Sequence, residues 1–181
     1  MMRIVAGKYR HRIISWPDDA KHIRPTKDRI REAIFSALGD INDFTVLDLY
    51  AGSGAMGIEA LSRGAKKVYF VDKNSVAIST VKENLKSLDI STNEAEVIKK
   101  EDTDALISFI NNIKFDLVIL DPPYALGEYQ KIISTLISND LLTKNGIIVC
   151  ESNYHLDLEN IDYKKDKEYS YGEIKVRILW R

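Results

Sequence analysis

Cysteine is almost absent from this chain of 181 residues: Cys150 stands alone, so no internal disulfide can form. It lies in the apolar run Ile147-Ile148-Val149-Cys150 with no other Cys and no ordered His cluster beside it. That context points to a buried thiol and sets zinc and thiol chemistry aside. No apolar run approaches the length of a membrane span. The opening residues, Met1 to Lys8, lack the apolar stretch and cleavage site of a signal peptide, so the cytoplasm is the expected compartment. Internal repeats and low-complexity segments are missing as well. What remains, 45% hydrophobic and 29% charged residues, is the composition of a soluble globular domain large enough to bury a core.

Net charge is small, at -1, but it is unevenly spread. Residues 1 to 31 hold nine Lys or Arg against three acids, which leaves the rest of the chain at -7. Such a local excess predicts a basic arm that meets a polyanion, with Tyr9, His11, Trp16 and His22 interleaved for stacking. A solvated hairpin without a partner is the plainer alternative.

Residues 3 to 15 read as a short β-hairpin standing outside the main core, and the division expected is an extension over 1–22 and a main domain over 23–181. From Thr26 the residues Ile30, Ile34 and Leu38 recur every four positions and Gly39 closes an amphipathic helix. Alternation follows. Strands are expected at Thr45 to Tyr50, Lys67 to Asp72, Glu94 to Lys99, Phe115 to Leu120 and Gly146 to Glu151. Helices are expected at Ala55 to Arg63, Ser75 to Leu88, Thr103 to Asn112 and Glu128 to Ser138. Short, continuously apolar strands between helices imply an α/β fold with a mainly parallel, doubly wound sheet covered on both faces. Strict alternation from Glu173 to Trp180 predicts a C-terminal antiparallel hairpin at the sheet edge.

Strand residues Val46 to Tyr50 run into Ala51-Gly52-Ser53-Gly54-Ala55-Met56-Gly57 and directly into a helix. Glycines at this G-x-G-x-x-G spacing let a backbone turn tightly and approach a nucleotide, a signal that dehydrogenases share. Asp48, four residues before Gly52, would repel a pyrophosphate and suits a ligand carrying ammonium or sulfonium charge, as S-adenosylmethionine does. Asp72, at the end of the next strand, can accept from two ribose hydroxyls. Asp102, before the following helix, either caps that helix or accepts from an adenine amine. The fourth strand delivers Asp121-Pro122-Pro123-Tyr124 to the same edge. Proline restricts its own φ and the preceding residue, so the Asp121 carboxylate, the Pro122 carbonyl and the Tyr124 ring form a stiff holder for a planar amine.

Arg3 through Arg10, Arg24 through Glu32, Asp48 through Ala65 and Asp121 through Tyr124 occur in the order of one family. The chain resembles class I S-adenosylmethionine-dependent methyltransferases, and more narrowly the RsmD family of bacterial 16S ribosomal RNA guanine-N2 methyltransferases. His11 stands where that family's pattern has glycine, Tyr50 where phenylalanine is usual and Met56 where leucine is usual. The resemblance implies a Rossmann-like fold and catalysis by Asp121, Pro122 and Tyr124. It places the cofactor on Asp48, Ala51, Gly52, Gly54, Asp72 and Asp102, and RNA on Lys8, Arg10, Arg12, Arg24 and Thr26. The implied substrate is 16S rRNA within a partly or fully assembled small subunit, met by a monomer. Two other readings of the residues stay open. One is a DNA methyltransferase acting on adenine N6 or cytosine N4, which uses the same amine holder. The other is a noncatalytic RNA-binding module, which would not need the cofactor loop.

Overall fold

A computed structural model describes residues 2–16, 28–122, 128–158 and 161–181. Arg24, Thr26, Tyr124 and the boundary expected between 22 and 23 lie outside the described residues. In chain order the elements are β1 (Met2–Arg3), β2 (Ile13–Ile14), α1 (Asp28–Leu38), β3 (Thr45–Leu49), α2 (Ala55–Ser62), β4 (Lys67–Asp72) and α3 (Ser75–Ser87). These are followed by β5 (Ala95–Lys99), α4 (Asp102–Phe109), β6 (Phe115–Leu120), α5 (Glu128–Ser138), β7 (Leu142–Ser152), β8 (Lys165–Tyr171) and β9 (Ile174–Trp180).

Seven strands form one sheet in the order β5-β4-β3-β6-β7-β9-β8. The first five are parallel, and β9 runs antiparallel to both β7 and β8. This is the expected Rossmann-like sheet closed by a C-terminal hairpin. Side chains alternate between two cores, as a pleated strand requires. Val46, Phe70, Ile119 and Val149 point to the face carrying α1, α2 and α3, while Leu47, Val71, Val118, Leu120 and Cys150 point to the face carrying α4 and α5. Cys150 is fully buried, as expected, and burial raises its thiol pKa.

The direction reversal from β3 to α2 places the glycine loop at the carboxyl edge of the sheet, between β3 and its neighbours β4 and β6. Gly57 allows that loop to sit so close: a Cβ there would overlap the Phe70 ring on β4. Gly57→Ala is therefore expected to cost about 1–3 kcal/mol through overpacking, read as a lower denaturation midpoint with an unchanged m-value.

The amino-terminal arm departs from expectation. Met2 and Arg3 pair with Ile14 and Ile13 in a two-stranded ladder, but the hairpin does not stand outside the core. Met2, Ile4, Tyr9 and Ile14 are buried in the same cluster as α1, α2 and β3. Tyr9 is thus a core residue rather than a stacking platform, and Trp16 is half-buried against the same cluster. The physical reason is a row of apolar side chains on the inner face of a segment whose charges all point outward. His11 takes φ +70, the left-handed conformation that glycine adopts without cost, so the turn keeps its shape with a histidine in it.

Candidate active site at the carboxyl edge of the sheet

The turn after β3 is built from residues in left-handed conformations: Tyr50 (φ 72), Gly52 (φ 55) and Gly54 (φ 79). Tyr50 is held there although it carries a Cβ, at a cost of about 1–3 kcal/mol. The Val71 carbonyl accepts from both the Tyr50 and Ala51 amides at 2.9 and 3.0 Å, and the Tyr50 hydroxyl donates to Asp102 at 2.6 Å. Gly54 donates to the Ala51 carbonyl at 2.7 Å and closes the turn.

Asp72 ends β4 and accepts from the Gly52 amide at 2.9 Å and from the Asn74 amide at 2.8 Å. Each carboxylate oxygen keeps a further lone pair for a ligand hydroxyl. Asp102 is the first residue of α4, one position inside the cap residue Glu101, which makes no side-chain cap bond. The Asp102 carboxylate accepts from the amide and hydroxyl of Thr103 at the start of the helix, and it also lines a cleft of about 180 Å³ with Tyr50, Lys73, Glu101, Thr103, Lys131 and Ile132. Burial raises the Asp102 pKa, but the hydrogen bonds from Tyr50 and Thr103 outweigh it and leave the group below the ordinary aspartate range. A larger opening of about 430 Å³, with Lys114, Lys144 and Arg181 among its lining residues, lies at the amino ends of β6 and β7. It is at the opposite end of the sheet from the glycine loop.

Asp48 is only 3% exposed and accepts from the Gly57 amide in the first turn of α2 at 2.9 Å. Burial, more than the charge of Asp72, pushes its pKa up to about 7, against the lowering effect of the Gly57 hydrogen bond. The folded chain therefore holds this proton more tightly than the unfolded chain. The stability tied to Asp48 is fully present below about pH 4 and is lost as pH rises through about 7. Asp48→Asn is expected to gain on the parent chain by a few kcal/mol between about pH 5 and about pH 8, which urea unfolding at the two pH values measures.

Asp121 and Pro122 follow β6 directly, next to the loop after β3, because Leu49 pairs with Leu120. Burial, then the neighbouring charges of Glu151 and Asp48, raise the Asp121 pKa well above the carboxylate range. The structure thus brings Asp48, Ala51, Gly52, Gly54, Asp72, Asp102, Asp121 and Pro122 to one edge.

Lys8, Arg10 and Arg12 are exposed on the arm, where Arg12 also donates to the Ser87 carbonyl at 2.8 Å. The arm is fastened to the helix that follows the glycine loop through residues not anticipated from sequence. Glu59, wholly buried in α2, accepts from the amides of Val5 (2.8 Å) and Ala6 (3.0 Å) and from Arg63 (2.8 Å), with the buried Arg31 at 3.4 Å. Asn84 in α3 bonds Ser15 through both its amide oxygen and nitrogen, and donates to the Ser53 carbonyl inside the loop at 2.9 Å. Glu59 is the one charge in the helix Ala55–Ser62, a signal the sequence did carry.

The family described as Conserved hypothetical protein 95 matches residues 2–180. Ribosomal RNA small subunit methyltransferase D of Haemophilus influenzae is 39% identical over 152 residues, covering 83% of this chain and 78% of the relative. The protein of the same name in Escherichia coli K12 is 30% identical over 185 residues, covering 99% and 90%. Among solved structures, a putative methyltransferase yhhF from Escherichia coli aligns with a TM-score of 0.87 at 30% identity, covering 99% of this chain and 97% of that one.

Proposed function

Since the chain belongs to the Conserved hypothetical protein 95 family, the RsmD family, we propose that it transfers a methyl group from S-adenosyl-L-methionine to the exocyclic N2 amine of a guanine in 16S ribosomal RNA. The observation that carries this reading is the meeting of Asp121 and Pro122 with the glycine loop, Asp72 and Asp102 at one sheet edge. That donor set fits the cofactor. Asp72 offers acceptors to ribose hydroxyls, Asp102 an acceptor to the adenine amine, and Asp48 a carboxyl whose ionised form a cationic ligand favours. Gly52 and Gly54 leave the backbone bare for close approach. When bound, S-adenosylmethionine supplies an electrophilic methyl group on a sulfonium.

The chain's own residues do the rest. A guanine amine is a weak nucleophile because its lone pair is delocalised into the ring. Hydrogen bonds from its two hydrogens to the Asp121 carboxylate and the Pro122 carbonyl favour a tetrahedral nitrogen and orient the lone pair. The amine acquires positive charge on transfer and then releases a proton, for which the Asp121 carboxylate is the adjoining acceptor. The target base is unpaired or flipped, since a paired edge cannot reach the site. Tyr124 stacks on the base, Arg24 and Thr26 bind the RNA, and Lys8, Arg10 and Arg12 hold phosphates. Residues 1–22 act as the docking extension of the catalytic domain 23–181.

The substrate is 16S rRNA in a partly or fully assembled small subunit, and the protein acts as a monomer in the cytoplasm. Offering purified protein and labelled S-adenosylmethionine to naked 16S RNA, unmethylated small subunits and DNA tests the reading. Label is expected in the RNA or the subunits. Transfer to DNA, or none to any of the three, would contradict it.

A further inference from the structure

The four motif residues hold a planar amine but do not distinguish guanine from adenine or cytosine. Glu151 lies beside them. It follows Cys150 in β7, and Asp121 follows Leu120 at the end of β6; Cys150 and Leu120 are a register pair, so the two carboxyl-bearing residues are the next ones along neighbouring parallel segments. Strand alternation puts Glu151 on the face of Val149, and its charge is felt at Asp121. Glu151 is 8% exposed. Its backbone is fixed twice, by pairing with Val176 on β9 and by the buried Tyr129 hydroxyl of α5, which donates to the Glu151 carbonyl.

The ring nitrogen next to the exocyclic amine differs between the bases. In guanine N1 carries a hydrogen and donates. In adenine the corresponding N1, and in cytosine N3, carry a bare lone pair and accept. An acceptor carboxylate beside the amine holder therefore matches guanine and opposes a lone pair from the other two. We propose that Glu151 is a specificity residue whose carboxylate accepts the N1–H of the target guanine while Asp121 and the Pro122 carbonyl take the N2 amine. This rests on the reading of the site as one that methylates a nucleobase amine.

The test uses 2-aminopurine, which keeps the N2 amine and replaces the N1–H by a lone pair. RNA or reconstituted subunits are made with guanine or 2-aminopurine at the methylated position, and kcat/KM is measured for each with the parent protein and with Glu151→Gln, whose amide can donate to N1. The parent is expected to prefer guanine by about 10- to 100-fold, and Glu151→Gln to reduce that ratio at least about tenfold with S-adenosylmethionine affinity retained. Equal use of the two bases by the parent overturns the proposal without recourse to a variant, as does an unchanged ratio in folded Glu151→Gln. Both results leave guanine-N2 transfer standing. Transfer by the parent to adenine N6 or cytosine N4 instead overturns the underlying reading along with this one.

Discussion

Asp121→Ala is expected to lower methyl transfer by about 10²- to 10⁴-fold while leaving S-adenosylmethionine affinity within a few fold. Two physical facts separate these effects. Asp121 follows β6, where the proposed function puts the acceptor amine, whereas the residues proposed for the cofactor lie in the loop after β3, at the end of β4 (Asp72) and at the start of α4 (Asp102). The carboxyl is also held against two like charges, Glu151 and Asp48, so its removal relieves repulsion and the variant should unfold no more readily than the parent. Single-turnover transfer, calorimetric cofactor titration and thermal unfolding measure the three quantities. Joint loss of transfer, cofactor affinity and stability would make Asp121 a structural residue.

Reversing Arg10 and Arg12 to Glu should weaken RNA binding by at least about tenfold at low salt and reduce the slope of log affinity against log salt by about 2. Both side chains are exposed on the arm. Cofactor affinity should therefore stay unchanged. The arm itself should stay folded, because its hold on the body runs through Glu59, Ser62 and Asn84 and through buried Ile4, Tyr9 and Ile14. Loss of the Arg12 bond to Ser87 removes about 1 kcal/mol. RNA affinity indifferent to the double reversal at low salt would remove the docking role of the arm.

The elements that the sequence made legible are those whose pattern is local. β4 (Lys67–Asp72), β6 (Phe115–Leu120) and α5 (Glu128–Ser138) fall where periodicity and bounding residues place them. β7 begins at Leu142 rather than Gly146 because Leu142 pairs with Phe115 across an irregularity in register, and the polar residues Thr143, Lys144 and Asn145 hide that strand in a loop-like stretch. α4 ends at Phe109 rather than Asn112, with Asn111 at φ 63, a backbone state that short polar residues reach and composition does not announce.

The site divides in the same way. Glycine spacing, the strand-end acids and the proline motif are readable because each is a short run. Glu59 holding Val5 and Ala6, Asn84 joining Ser15 to Ser53, and Glu151 beside Asp121 are pairings across dozens of residues. Only the fold brings them together. The packing of the basic arm into the core is illegible for a related reason: net charge is counted along the chain, while the inward row of Ile4, Tyr9 and Ile14 is set by which face meets α2.

The identity of the methylated nucleoside tests the central claim most directly. Protein, S-adenosylmethionine and unmethylated small subunits are incubated together, the RNA is digested, and the nucleosides are separated by mass spectrometry. N2-methylguanosine, absent when Asp121→Ala replaces the parent protein, is the predicted product. N6-methyladenosine, N4-methylcytidine, or N2-methylguanosine formed equally well by Asp121→Ala would contradict the account.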